Sequence, residues 1–207
     1  PAVTYLTKKE FYENIDENEL YSNLYFSELT QYLRKNLSDN ILGNRKNYDL
    51  FYQGTVWFFL MAIESGYDRR TDFILETAEF ICKYSQQGDG GFSFNWNPPV
   101  SVGCRTGNIV YGLLKSGIKD ERTNAGLNWI IKNQRADGGW LHCPFRGLCD
   151  IIKLIFLKKS GNGHFYDRNS KISSCPVATY TCMSALSEGG NPLYAELLSS
   201  AADYFIS

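Results

Sequence analysis

Cys104, Cys143 and Cys175 each stand just ahead of an apolar, helix-like run, in "CRTGNIVYGLL", "CPFRGLCDIIKLI" and "SCPVATYTCMSAL". Cys149 follows Cys143 by six residues, and His142 sits beside it. Thiolates bind zinc in fours, or in threes with an open place for chemistry, and imidazole completes such sets. The field at a helix amino terminus lowers a thiol pKa and favours the thiolate. These five residues are the candidate metal ligands, and zinc is the metal that suits them. Two other readings stand beside this one. No Cys-x-x-Cys pair occurs, and cysteine is among the most buried residue types, so the thiols also read as core filling. A disulfide is the third reading. Cys82 and Cys182, inside apolar runs, read as packing. His142 doubles as a candidate general base, while His164 in "GNGHF" reads as a turn residue.

The whole chain limits what such a centre could serve. Hydrophobic residues make up 43% of its 207 residues and charged residues 21%, a globular balance with enough chain to bury a core. Lys+Arg 21 against Asp+Glu 22 leaves no basic excess to draw phosphates, so nucleic acid is not an expected partner. The opening "PAVTYLTKKEFYENIDENEL" lacks the basic-then-apolar layout of a secretory signal. The most apolar stretch, "GTVWFFLMAI" (54–63), is about half of a membrane span. No transmembrane segment is expected, and the cytoplasm is the expected location, where cysteines stay reduced.

The elements that would position the cysteines are helices closed by glycine. "AEFICKYSQQGDGGF" (78–92) aligns without a gap over "GLNWIIKNQRADGGW" (126–140). Glycine ends a helix by taking the left-handed conformation, and Asp binds backbone amides in the turn that follows. "MAIESGYD", "GLLKSGIKD" and "SALSEGGNP" end alternate helices at another glycine. The pattern predicts helices over 24–37, 49–65, 71–84, 104–116, 122–133, 145–159, 175–188 and 192–205, with 1–23 as an amino-terminal extension and 24–207 as the domain. No run alternates with the period of a strand. A spacing of about 48 residues between the signatures suits a helical-repeat architecture. Asp89, Asp137, Gln86 and Gln134 read first as ties between helix ends, with catalysis the lesser reading.

The signatures "QQGDGGF" and "QRADGGW" resemble the QW-type repeat of the isoprenoid cyclase and protein prenyltransferase superfamily, over roughly residues 49–190. The segment 104–140 resembles uncharacterised prokaryotic members most. The resemblance implies an all-α fold, an α/α toroid in which inner helices surround a cavity and outer helices pack against them. The chain offers about four helix pairs, fewer than such toroids usually carry, so an incomplete or open ring is expected. A second copy or a partner chain would complete it. In a toroid the cysteine positions gather at one rim of the cavity. Measured back from Gly117 and Gly189, Cys104 and Cys175 fall 13 and 14 residues upstream.

The known active sites of that superfamily do not carry over. Asp-x-Asp-Asp and Asp-Asp-x-x-Asp are absent, and in "PPVSVGCRTGN" Val102 stands where the prenyltransferase zinc aspartate is expected. Aromatic residues of the expected inner helices, Tyr52, Trp57, Phe58, Tyr111, Phe145 and Tyr180, are the candidate cavity wall; core packing is the other reading for each. Two functions therefore compete. One is a toroid holding an isoprenoid-like ligand, with a zinc–thiolate centre at the rim, acting as a transferase or cyclase if it is an enzyme. The other is a non-catalytic repeat module that binds a peptide or protein along its arc. A glycan hydrolase, with Asp150 and Asp167 as rim carboxylates, ranks third.

Overall fold

The computed structural model describes residues 2–13, 16–43, 54–94, 99–141 and 173–206. Tyr52, His142, Cys143, Phe145, Cys149, Asp150, His164 and Asp167 lie outside them, as do the helix expected over 145–159 and the start of the one expected over 49–65. The described residues form an all-α fold with one small hairpin. The helices are α1 (Ala2–Phe11), α2 (Glu17–Tyr25), α3 (Glu28–Lys35), α4 (Thr55–Glu64), α5 (Asp72–Ser85), α6 (Gly103–Lys115), α7 (Glu121–Lys132), α8 (Pro176–Gly189) and α9 (Ala195–Ile206). No described helix is long and apolar enough to cross a membrane. The chain divides into two compact units, Pro1–Ile81 and Cys82–Ser207.

In the first unit the described residues of the segment 1–23 are largely helical, and the run expected as one helix over 24–37 is broken at Phe26–Ser27. Ser27 caps α3 there by accepting the Thr30 amide, and Asp16 caps α2 in the same way. Strands β1 (Leu37–Ser38) and β2 (Ile41–Leu42) then pair antiparallel across Asp39 and Asn40. Both of these residues have positive φ, the conformation a two-residue hairpin turn requires. Two short strands of this length leave no alternation to read in sequence. Thr30 ties the unit together, donating to the Leu24 carbonyl at 2.9 Å and pairing with the Tyr67 hydroxyl at 2.6 Å. Gly66, at φ +97°, lies so close to Tyr5 that a Cβ would meet its ring at 2.5 Å.

The second unit is built from two copies of one plan. α6 packs most extensively against α8, and α7 and α9 each pack on a partner of that pair. Gly103 faces Ala178 and Gly107 faces Thr181, so α6 and α8 run parallel. A Cβ on Gly107 would sit 2.5 Å from the Thr181 backbone. The helices approach closely because that residue has no side chain.

One spacing recurs in both units. Thr55, Thr106 and Thr179 are fully buried, and eleven residues after each comes a left-handed glycine: Gly66, Gly117 and Gly190. The helix stop after α8 is therefore Gly190, one residue beyond the Gly189 expected from sequence.

Candidate functional site

The two Asp-Gly-Gly signatures perform the same bonding twice. The Gln86 side-chain amide donates to the Gly90 carbonyl at 3.1 Å and to the Arg122 carbonyl at 2.8 Å. Gln134 donates to Gly138 and to Leu197, both at 2.8 Å. Each glutamine thus closes its own turn and ties it to the helix region that follows. Asp89 accepts from the Gly91 amide, the Ser101 hydroxyl and the Trp129 indole at 3.0, 2.6 and 3.1 Å. Asp137 accepts from the Gly139 amide and from both the amide and hydroxyl of Ser174 at 3.3, 2.9 and 2.6 Å. Burial alone would raise the Asp137 carboxyl, but these bonds outweigh it and hold the group below its usual range. A carboxyl so held is a poor proton donor at neutral pH. Its arrangement suits a turn, as the sequence suggests.

The aromatic that closes each signature is buried, Phe92 in one copy and Trp140 in the other. The amide of Phe92 donates to the Thr106 hydroxyl at 2.9 Å, and that of Trp140 donates to Thr179 at 3.1 Å. Ser101, Thr106, Ser174 and Thr179 complete the seams, and none is singled out by the sequence pattern. Their signal is faint because the segment between signature and helix is far longer in the second copy. It conceals that Ser101 and Ser174 are counterparts.

The thiols arrange themselves differently from the expected rim set. Cys104 is buried in the first turn of α6, and Cys175 is the residue preceding α8. Because the helix stops are Gly117 and Gly190, Cys104 lies thirteen residues before its stop and Cys175 fifteen. The two are neighbours without being repeat counterparts. Burial pushes the Cys104 thiol up to about 12, with the nearby Cys175 adding to the shift. The lowering expected from the helix amino terminus is overcome by desolvation. Cys182 is fully buried, donates to the Gly103 carbonyl at 3.4 Å, and is pushed up by burial. Cys82, Cys104, Cys175 and Cys182 are all unbridged. Among the described residues no three His, Cys, Asp or Glu side chains group closely enough to hold a metal. A zinc centre would have to draw on His142, Cys143 or Cys149, outside the described residues.

Of the aromatic candidates, Tyr111 and Tyr180 come together. They line an open groove of about 660 Å³ along α6, α8 and α9 with Met183, Ser184, Leu198 and Phe205. No family model and no curated protein matches this chain. Trp57 and Phe58 belong to the first unit, where Phe58 is buried and meets Trp57 edge-on at 5.2 Å between ring centres. Phe58 is core. The groove's own signal in sequence is modest: Tyr180, Met183, Ser184 and Ser187 recur at three- and four-residue steps along α8.

Proposed function

We propose that this chain is a helical-repeat scaffold of the α/α-toroid kind, similar in plan to the isoprenoid cyclase and prenyltransferase superfamily. In this reading it is non-catalytic and holds an apolar helical segment in the α6–α8–α9 groove. The observation that carries this reading is a contrast of roles. The signature carboxylates and amides are engaged in turn bonds, whereas the groove of the second unit is open and mostly apolar, lined by tyrosine, phenylalanine, methionine and leucine together with Ser184, Ser187 and Glu188. Helix-in-groove recognition uses such a surface, read at steps of three and four residues. Parallel packing of α6 on α8, with α7 and α9 each against a member of the pair, supports the toroid plan of inner and outer helices.

A second reading is favoured by the meeting of Tyr111 and Tyr180 in one groove. Its volume falls in the range of small-molecule sites, and an isoprenoid-like chain would lie on the two rings. A zinc–thiolate centre in this version would use Cys104 and Cys175 with ligands from 142–149.

The test is fluorescence anisotropy at nanomolar protein with a labelled amphipathic Leu-rich helical peptide, competed by farnesol. Saturable peptide binding that weakens in Tyr180→Ala supports the scaffold. Farnesol binding without peptide binding selects the isoprenoid reading, and binding of neither overturns both.

A further inference from the structure

The repeat identifies a face that one copy covers and the other leaves open. Counting from the shared Thr and Gly positions, Cys104 and Gly107 of the first copy correspond to Val177 and Tyr180 of the second; counting from Arg122 and Leu197, whose carbonyls take the two glutamine bonds, Ile130 corresponds to Phe205. Cys104 is 3% exposed, Gly107 is buried against Thr181, and Ile130 is 0% exposed. Their counterparts Val177, Tyr180 and Phe205 are 58%, 67% and 49% exposed. Contiguous apolar surface of this kind marks an interaction site.

We propose that the occupant is a second copy of this chain, whose α8 lies antiparallel along α8 in the groove. This rests on the scaffold reading and names its ligand. Continuity with the α6–α8 interface argues for a helix. Tyr180 argues against another repeat stacked in parallel, because it fills the position where Gly107 lets α8 approach. An antiparallel helix solves this with the residues already present. Val177, Tyr180, Ser184 and Ser187 form a stripe spaced three, four and three, the spacing of a coiled-coil seam.

With a two-fold axis near residue 182, Tyr180 of each copy faces Ser184 of the other, and Val177 faces Ser187. Each large side chain meets a small one. The two Glu188 carboxylates are left roughly 18 Å apart along the helices, beyond effective repulsion in salt. The seam is isologous, as a symmetric dimer requires.

Sedimentation equilibrium of the whole chain should show a monomer–dimer equilibrium. Tyr180→Ala and Ser184→Arg should each weaken it at least tenfold while leaving far-UV circular dichroism unchanged, since both side chains face the groove. Register is tested by oxidising Val177→Cys chains mixed with Ser187→Cys chains. A disulfide-linked heterodimer should form from the mixture, and neither variant should cross-link alone. A chain that stays monomeric to its solubility limit overturns the proposal, as does a dimer indifferent to both substitutions. Peptide binding by a strictly monomeric chain would leave the scaffold reading standing while this proposal falls.

Discussion

The Gln134 side chain donates to the backbone carbonyl of Leu197, sixty-three residues away, across a 2.8 Å bond that Gln86 repeats on Arg122. A glutamine amide is well suited to this task, because one NH2 serves two carbonyls at once, one in its own turn and one in the first turn of the helix it is tied to. Gln134→Ala removes both donors and strands part-buried acceptors. It should destabilise the chain by about 1–3 kcal/mol, read as a lower urea midpoint at unchanged slope. Gln134→Glu should cost at least as much, since a carboxylate cannot donate.

Asp137 should be visible in the acid limb of stability. Its folded pKa is lowered from 3.8, so its contribution is fully present above about pH 4 and is lost as pH falls through the folded value. The sign follows because the unfolded chain takes up the proton first. In Asp137→Asn one of the two carboxylate oxygens becomes an NH2, so either the Ser174 amide or the Gly139 amide and Ser174 hydroxyl meet a donor in place of an acceptor. Chemical denaturation between pH 2 and 7 should show a variant less stable at neutrality (by about 1–3 kcal/mol) whose difference from the parent shrinks toward pH 2.

Gly107 and Gly88 should respond in opposite ways to the same substitution. A Cβ at Gly107 would stand 2.5 Å from the Thr181 carbonyl carbon and 2.6 Å from the Cys182 nitrogen, both backbone atoms that cannot turn aside. Gly107→Ala should therefore cost about 1–3 kcal/mol or more as α6 and α8 are forced apart. At Gly88 nothing lies within 4 Å. Gly88→Ala should be neutral, or stabilise by up to about 1 kcal/mol through the unfolded chain. Thermal melts of the two variants side by side decide it.

These contrasts show which features the residue string carries by itself. Helix stops at Asp-Gly-Gly are legible because glycine has a backbone freedom no other residue matches, and two copies align without a gap. The inner helices are harder. Signature positions repeat after 48 residues, yet Thr106 recurs only 73 residues on at Thr179, so an ungapped comparison of the signatures misses the second relation. The register of the thiols is hidden for a separate reason: Gly189 and Gly190 are equivalent as letters, and only Gly190 takes the left-handed cap. Tyr111 and Tyr180 are two of six aromatics that the sequence offers as a cavity wall, and nothing in the string pairs them; the parallel packing of their helices brings both into one groove. Phe58 was not distinguishable from them, since α4 is apolar around its circumference and no periodicity reveals the buried side.

Cys104 should mark the alkaline limb. Its thiol titrates at about 12 in the folded chain against an ordinary value of 9.0, and burial is the main cause. The unfolded chain therefore loses this proton first as pH rises. The group's stabilising contribution is fully present below about pH 9 and is lost progressively up to about pH 12. Tyrosine and lysine titrate over the same range, so the informative quantity is the difference between the parent and Cys104→Ala. That difference should narrow as pH climbs from 9 to 11. Thiol reagents at pH 9 should label Cys175, which is partly accessible, well before Cys104. Should Cys104 react first, it would be an exposed thiolate of the kind a metal or a nucleophilic role demands. Zinc analysis of Cys104→Ser would then become the decisive measurement.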